Sequence, residues 1–392
     1  MAARGVVSMT RGKWRECLFA LLNLIAVYWF FFRERDVYGV RDKRYDSTFL
    51  LYVGLVSVQY VMLRLFAGNK GWKFWPAFFT PILALVFIRY VPPGFLSYDS
   101  YFHSAYFIGI SYLAFRNSHL TLEVRNGVVE APGFFDYLGY SFFLPTISVG
   151  PINPYTNHHR AFSDAPPFIP AGASLFRILI GLVKYKFLGG ICFQLTYATF
   201  LLDDHYHPWI DLPVAMVFYY LFLYCNFSGF CDMAIGAAGL IGIPVAENFQ
   251  NPFAARNVKE FWNRWHITLS LYMRDVVFSP LSKFLARLLG PKNVNHAVAL
   301  TIIVVFLLVG IWHGVGWNYA FFGAVHALGI VVNHYYTIGL KKWLGRDAFK
   351  NYNANPWIRS AAVVLTFCYV AVSLFFFANR MPEIREILHT LK

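Results

Sequence analysis

The stretch NVNHAVALTIIVVFLLVGIWHGVGWNYAFFGAVHALGIVVNHYYTIGL, residues 293–340, contains no Asp, Glu, Lys or Arg. Uncharged apolar sequence of this length is typical of segments that cross a lipid bilayer. Gly314 and Gly316 break the stretch in its middle, and the ionisable ring of His313 stands directly before the break. Burying such a ring in a membrane is unfavourable unless it faces a cavity or a partner. The stretch therefore predicts a membrane protein with a functional histidine at position 313.

The composition of the whole chain extends this interpretation. Hydrophobic residues make up 58% of the chain and charged residues only 14%, whereas a soluble domain is about one quarter charged. Several apolar runs are interrupted by Gly or Pro, which is tolerated at membrane depth only where the backbone is buried in protein or lines a cavity. We predict an all-α, polytopic transmembrane fold of roughly 9–11 spans. Re-entrant and amphipathic interface helices are expected around a central tunnel, in a single integral membrane domain over residues 1–392.

Charge and cysteine usage exclude other classes of protein. The net charge of +14 comes from short Lys and Arg clusters between apolar runs, which form no basic stripe of the kind that binds nucleic acid. These clusters are better interpreted as loop and interface anchors that face anionic lipid headgroups. The five cysteines have neither CxxC pairing nor zinc-type spacing with histidine. We predict membrane lipid around the protein, no nucleic-acid partner and no bound metal.

A second segment, KEFWNRWHITLSLYMRD (residues 259–275), combines apolar and charged side chains at helical spacing. Its apolar residues recur at i+4, which predicts one continuous helix with an apolar-aromatic stripe. We expect an amphipathic or re-entrant helix at the membrane interface. Trp262 and Trp265 would then anchor it at the level of the lipid headgroups.

Polar side chains of this segment are also placed four residues apart. Glu260 and Arg264 are expected to pair on the polar face of the helix. His266 and Ser270 share another face, so the ring either meets a polar group of the protein interior or satisfies a backbone carbonyl near the interface. The spacing alone leaves both alternatives open.

A third segment, YCNFSGFCDMAIGAAGLIGIPVAENF (residues 224–249), is rich in glycine at helical spacing. Such glycines usually form a packing face between helices. Asp232 is not explained by packing, because a carboxylate in an apolar run needs water or a cationic partner. We expect it to line a wet path or to pair with Arg264 or His266.

The histidines allow three kinds of role. A ring with an ordinary pKa near neutrality suits a general base acting on a hydroxyl, and the absence of a GxSxG elbow argues against a covalent serine enzyme. Metal or haem binding by His266, His313 and His326 is an alternative, although HExxH spacing is missing and no carboxylate lies within 293–340. A ring that only bonds to a neighbouring helix is the third.

Another histidine pair occurs in a polar stretch. His158 and His159 stand beside Arg160 and Asp164. This surrounding predicts a solvated loop. Metal binding there is a further alternative that the sequence leaves open.

Taken together, these segments resemble the membrane-bound O-acyltransferase (MBOAT) superfamily. The similarity is to its bacterial branch, which contains the membrane transferases of alginate O-acetylation and teichoic acid D-alanylation. It is carried mainly by EFWNRWHITLSLYMRD (260–275) and GIWHGVGWNYAFFGAVHALG (310–329). Residues 101–392 correspond to the MBOAT core, and residues 1–100 are N-terminal spans that match only loosely.

The resemblance implies acyl transfer across the plasma membrane of a bacterium. The donor would be a cytoplasmic thioester, on the phosphopantetheine of an acyl carrier protein or on coenzyme A, with no tightly bound cofactor. The acceptor would be a hydroxyl of an extracytoplasmic cell-envelope polymer or of a transferase partner protein. The family's principal catalytic histidine, in its WHG motif, falls on His313, and the second, in its RWH motif, falls on His266. Residues expected to contact substrate or line the tunnel are Asp232, Asn318, Trp312, Ser270, Arg264 and His326.

Two questions stay open at this point. Asn226 stands where many relatives carry Asp, and the motifs divide between the two subgroups, so that the acyl group is either acetyl or D-alanyl. A multi-pass transporter and a scaffold that docks a separate transferase remain alternative functions. The transporter predicts an inverted repeat between the two halves of the chain, and inspection finds none.

Overall fold

The computed structural model describes residues 5, 12–33, 44–69, 71–90, 107–162, 168–197 and 207–389. Within these ranges the regular structure is helical, apart from one antiparallel bridge between Phe249 and Trp265. The predicted all-α fold is therefore confirmed. The helices, numbered in chain order, are α1 (Lys13–Val27), α2 (Arg44–Phe66), α3 (Phe74–Tyr90), α4 (Ile110–Arg125), α5 (Phe134–Ser141), α6 (Tyr155–Arg160), α7 (Ala171–Leu182), α8 (Gly189–Gln194), α9 (Pro208–Ile241), α10 (Val258–Trp262), α11 (Ile267–Met273), α12 (Ser279–Leu289), α13 (Val294–His313), α14 (Trp317–Ala354, interrupted at Gly345), α15 (Pro356–Ala378) and α16 (Met381–His389).

The described helices include candidates for membrane spans. Five segments are long and apolar enough to cross a bilayer, by length and composition. They are Lys13–Phe32, Asp46–Phe66, Trp209–Ile241, Pro291–His313 and Pro356–Ala378, and the apolar helix Phe74–Tyr90 is shorter. Large apolar side chains such as Leu50 and Leu365 are exposed on them, as expected of surfaces that face lipid. The polytopic membrane fold is confirmed, and the number of 9–11 spans stays a rough prediction.

The described residues group into two compact units. The first comprises Met1–Gly181 with Phe230–Glu247, and the second comprises Leu182–Gly229 with Asn248–Lys392. Helix α9 contributes its N-terminal part to the second unit and its C-terminal part to the first. The single integral domain expected from the sequence stays a prediction.

The first unit contains helices α1 to α6, most of α7 and the end of α9. One of its apolar clusters consists of Phe19, Phe143, Ala161, Ala238 and Ile243. Its largest fully buried side chain is Arg116, whose guanidinium donates to the Ser141 carbonyl at 2.6 Å and to Thr146 Oγ1 at 2.9 Å. Hydrogen bonds replace the water that the buried cation loses.

The first unit also places one predicted loop histidine in its interior. His158 lies on α6, is only 1% exposed, and has its Nε2 3.5 Å from Asp136 Oδ1. The Tyr155 hydroxyl donates to the same carboxylate. The expectation of a solvated loop is therefore wrong for His158, because Asp136 provides a buried partner, whereas His159 is exposed. Asp164 lies outside the described residues.

The second unit is built around the contact between α13 and α14. A side chain on Gly310 would collide with the backbone oxygen of Tyr319, and one on Gly323 with the backbone oxygen of Phe306. The two helices can therefore approach this closely only because both positions are glycine. This contact places the C-terminal end of α13 beside the first turns of α14.

Candidate active site

The segment predicted as one helix is broken at the histidine. Helix α10 ends at Trp262 and α11 begins at Ile267. Between them His266 adopts φ 47° and ψ 51°, a left-handed conformation that is uncommon for residues other than glycine. The prediction of a continuous helix over 259–275 was wrong, because the i+4 repeat of apolar residues continues across the break.

An extended strip of backbone causes the break. The N–H of Gln250 donates to the Arg264 carbonyl at 3.0 Å, and the N–H of Ile267 donates to the Asn248 carbonyl at 3.0 Å. These bonds belong to the bridge between Phe249 and Trp265. The long-range pairing satisfies backbone groups that a continuous helix would have used, and it leaves His266 at the corner.

The side chain of Asn248 organises this corner. Its Oδ1 accepts from the Thr268 N–H at 3.1 Å and from Thr268 Oγ1 at 2.7 Å, and it lies 3.4 Å from His266 Nδ1. An amide oxygen only accepts, so Nδ1 is the protonated nitrogen of a neutral His266 ring that bonds to it. The lone pair of the ring then lies on Nε2.

His266 combines deep burial with an available nitrogen. The residue is 3% exposed, and its buried Nε2 has no hydrogen-bond partner in the part of the chain that the structure describes. Burial lowers the pKa of His266 far below its usual range, and the nearby His313 ring lowers it further. His266 is therefore neutral at physiological pH.

The two tryptophans predicted as interface anchors are instead inside the protein. Trp262 and Trp265 are each 7% exposed. The Trp265 ring packs at 5.4 Å from Phe261 and at 5.0 Å from Phe249, and the Trp262 indole is bonded to His326. The anchor prediction was wrong, because Trp262 at the end of α10 and Trp265 in the loop after it are both packed inside the protein rather than presented to lipid headgroups.

His313 occupies the position expected from the sequence. It is the last residue of α13 and of the candidate span Pro291–His313. The chain then passes through extended Gly314, and Gly316 precedes α14. The ring is partly exposed and lies 4.5 Å from the Trp312 ring and 5.0 Å from the Phe377 ring.

Trp312 lies beside both histidines. Its ring centroid is 6.2 Å from that of His266 and 4.5 Å from that of His313. The structure thus brings together three of the residues predicted for the site. A neutral buried ring and a partly accessible ring meet at one aromatic wall, where an accessible histidine can take a proton from a substrate hydroxyl.

Asn318 lies near the histidine as well. It is in the first turn of α14, is 5% exposed, and its Oδ1 would be in the way of any side chain at Gly316. Its position five residues beyond His313 keeps it a candidate for holding substrate. The role itself stays a prediction.

A cavity of about 450 Å³ adjoins the histidine corner within the second unit. Its volume falls in the range of roughly 300–1,000 Å³ that is common for small-molecule sites. One wall is a continuous face of α13 formed by Val298, Ile302, Val305 and Val309, and Lys259 and Arg274 also contribute. The cavity is therefore mainly aliphatic, with basic groups on its boundary.

The cavity separates two residues that were predicted to line the same path. Ser270 is part of its wall, and the Ser270 hydroxyl donates to the Trp262 carbonyl at 2.9 Å. His326 is not part of the wall: it is completely buried, and both its nitrogens are bonded within the protein. The expectation that His326 lines the path was therefore wrong, because Trp262 and Ser373 enclose its ring.

Of the two charged residues of the predicted site, Asp232 has a partner that was not expected and Arg264 has the expected one. Asp232 lies in the first unit, where Arg177 Nε donates to its Oδ1 at 3.0 Å. The same guanidinium donates to both oxygens of Glu247, at 2.6 and 2.5 Å. Arg264 pairs with Glu260 at 2.8 Å, as the i+4 spacing predicted. The structure thus gives Asp232 a cationic partner, Arg177, that the sequence analysis did not name, and the alternative that Asp232 lines a wet path stays a prediction.

Asn248 is the residue of the site that the sequence analysis missed. It belongs to the ENFQNPF stretch at 247–253, in which no acidic, basic or histidine side chain other than Glu247 attracts attention. Its importance comes from a contact with residues 18 and 20 positions away. The one signal available in the sequence was an asparagine directly before Phe249, the residue that forms the backbone bridge.

Comparison with known proteins identifies the family of the chain. Residues 72–375 match the MBOAT, membrane-bound O-acyltransferase family. The chain belongs to this family. It is 31% identical to a teichoic acid D-alanyltransferase of Streptococcus thermophilus over 331 residues. The matched region covers 81% of the chain and 78% of that relative.

Other relatives of this MBOAT protein modify different polymers. A peptidoglycan O-acetyltransferase of Helicobacter pylori is 29% identical over 281 residues, which cover 70% of the chain and 49% of that protein. A probable alginate O-acetylase of Azotobacter vinelandii is 28% identical over 227 residues, covering 57% and 44%. The MBOAT protein is an O-acyltransferase of the membrane.

Proposed function

We propose that this MBOAT protein passes an acyl group from a thioester donor to an extracytoplasmic hydroxyl, with His313 as the general base. The observation that carries the proposal is the meeting of His313 and His266 at the Trp312 ring. His313 takes the proton of the acceptor hydroxyl, and the oxygen attacks the thioester carbonyl. The C–S bond then breaks, and the leaving thiolate takes the proton back from the imidazolium.

His266 supports this reaction without being the base. Its ring is neutral and held by Asn248, and its buried Nε2 faces no protein donor among the described residues. A neutral ring next to His313 leaves the positive charge formed during the reaction on His313 alone. In this proposal the bound donor, together with the aromatic rings beside His313, keeps water from the thioester, which it would otherwise hydrolyse.

The cavity beside the corner is proposed to hold the donor. Ile267 and Val309 form part of its wall, one residue after His266 and one helical turn before His313. A pantetheine-type arm would extend along the aliphatic face of α13, and the phosphate of a carrier protein or of coenzyme A would meet Lys259. The arm delivers the thioester, and the protein needs no resident cofactor.

The acyl group is proposed to be D-alanyl, and the acceptor a teichoic-acid-type polymer or a partner protein that serves it. The support is the extent of similarity, since the D-alanyltransferase matches most of both chains whereas the O-acetyl relatives match about half of their own length. The proposed place is the bacterial plasma membrane. Acetyl transfer is the other outcome of the test.

The experiment uses the full chain in proteoliposomes with labelled D-alanyl or acetyl carrier-protein thioester on one side and hydroxyl polymer on the other. We expect label to reach the polymer, with kcat/KM about tenfold or more higher for D-alanyl. Ile302→Trp should block transfer by filling the cavity, and Ile303→Trp, which is 39% exposed on the same helix, should not.

The outcomes separate the parts of the proposal. A higher kcat/KM for the acetyl thioester than for the D-alanyl thioester would show that the protein is an O-acetyltransferase. Equal rates for both folded variants would remove the donor role of the cavity. Absence of transfer from either thioester would contradict the proposed function as a whole.

A further inference from the structure

His326 is the one fully buried histidine of α14 that the proposed reaction does not use. It is 0% exposed and lies at the junction of three helices, α10, α14 and α15. Trp262 Nε1 is 3.1 Å from its Nδ1, and Ser373 Oγ is 2.8 Å from its Nε2. The ring therefore links the end of α10 to α15.

The protonation of this ring follows from its neighbours. An indole N–H only donates, so His326 Nδ1 must accept from Trp262. The Ser373 hydroxyl donates its one proton to the Val370 carbonyl at 2.7 Å, so its oxygen is left to accept from His326 Nε2. Both partners require the same neutral tautomer, with the proton on Nε2. No lone pair of the ring remains for chemistry on a substrate.

Trp262 connects this ring to the catalytic corner. It is the last residue of α10, and its carbonyl accepts from the Ser270 hydroxyl of α11 at 2.9 Å. The four residues between the two helices, 263–266, end at His266. Fixing Trp262 therefore fixes both sides of the loop that presents His266 to Trp312.

We propose that His326 is a positioning residue, which orients the loop of His266 through a Trp262–His326–Ser373 chain of hydrogen bonds. The predicted effect of His326 on turnover rests on the proposed function. Its predicted effect on the order of the loop rests on the geometry alone. Misplacing a group of the reaction by about 1 Å lowers the rate by about 100-fold. Loss of the chain should therefore lower kcat more than it raises donor KM, since residues 258–270 orient His266 and also line the donor cavity.

The test compares variants of the full chain in detergent or proteoliposomes. His326→Leu and Ser373→Ala break the chain, and His326→Gln offers an amide acceptor for Trp262 and an amide donor for Ser373. Tyr369→Phe is the matched control, because the Tyr369 hydroxyl also joins α15 to α14, by donating to the Val325 carbonyl at 2.6 Å, and is not part of the Trp262–His326–Ser373 chain. Hydrogen exchange of residues 258–270 is measured beside kcat and KM.

In His326→Leu and Ser373→Ala we expect the amide hydrogens of residues 258–270 to exchange about tenfold faster than in wild type. We expect kcat to fall about tenfold or more, and donor KM to change less than kcat. His326→Gln should restore both quantities, and Tyr369→Phe should leave both near wild type. The exchange measurement needs no substrate. If His326→Leu and Ser373→Ala exchange faster but the wild-type protein transfers no acyl group, the result would support the positioning role and contradict the proposed function.

Two results would overturn the inference. The first is wild-type kcat and wild-type exchange in both His326→Leu and Ser373→Ala. The second is a folded His326→Gln with wild-type exchange that is as inactive as His326→Leu, because the imidazole itself would then be required.

Discussion

At the scale of single residues, the site depends on two histidines in opposite environments. His266 is buried, left-handed in backbone conformation and held by Asn248, whereas His313 is partly exposed at a helix end. His313 was singled out because an ionisable group in an apolar run needs a reason to be there, whereas His266 was singled out by the resemblance of its RWH motif to the family. Their difference was not predictable, because the buried environment of His266 includes residues far from it in sequence, such as Asn248, 18 positions away.

The buried ring makes stability depend on pH. Because burial lowers the pKa of His266, the unfolded chain binds a proton there below about pH 6.5 while the folded protein does not. Stability should therefore fall as the pH falls, by up to about 1.4 kcal/mol per pH unit for this one group. Thermal unfolding between pH 7 and 5 measures the slope, which should be smaller in His266→Gln.

The exposed histidine at the end of α16 provides the control for this prediction. His389→Gln removes an exposed histidine instead of a buried one and should keep the wild-type slope. An equal slope in wild type and His266→Gln would show that His266 is not buried in its neutral form.

At the scale of helices, the closeness of α13 and α14 decides where His313 is placed. Gly323 lies against the backbone of Phe306, and Gly310 against that of Tyr319. Any side chain at either position pushes the helix ends apart, and the ring of His313 moves with α13.

Gly323→Ala should therefore destabilise the protein by about 1–3 kcal/mol. Gly339→Ala is the matched control on the same helix, since nothing lies within 4 Å of the added carbon, and it should be neutral or stabilising by up to about 1 kcal/mol. Thermal unfolding in one detergent compares the two. A Gly323→Ala melting temperature at or above that of Gly339→Ala would contradict the close contact.

The helices also show where prediction from sequence succeeds and fails. The apolar run to His313 and the glycine break after it were predicted, because length, hydropathy and glycine are local properties. The break at His266 was not predicted, because backbone pairing of 248–250 with 264–267 causes it. The burial of Trp262 was missed for the same reason, since its partner His326 lies 64 residues away.

At the scale of the whole molecule, the family match at 72–375 extends through both compact units. The residues of the proposed chemistry, His266, Trp312 and His313, all belong to the second unit. Asp232 and its partner Arg177 belong to the first, where they bond with each other. Composition and motif order were enough to predict the all-α membrane fold and the enzyme class, whereas the partners of the charged residues needed the structure.

The most direct test of the central claim is the rate of acyl transfer by purified His313→Gln in proteoliposomes. We expect kcat to fall about 100- to 10,000-fold, the usual contribution of a general base, with an unchanged melting temperature. His296→Gln, at the exposed beginning of the same helix, should keep the wild-type rate. A folded His313→Gln protein that transfers acyl groups as fast as wild type would contradict the account.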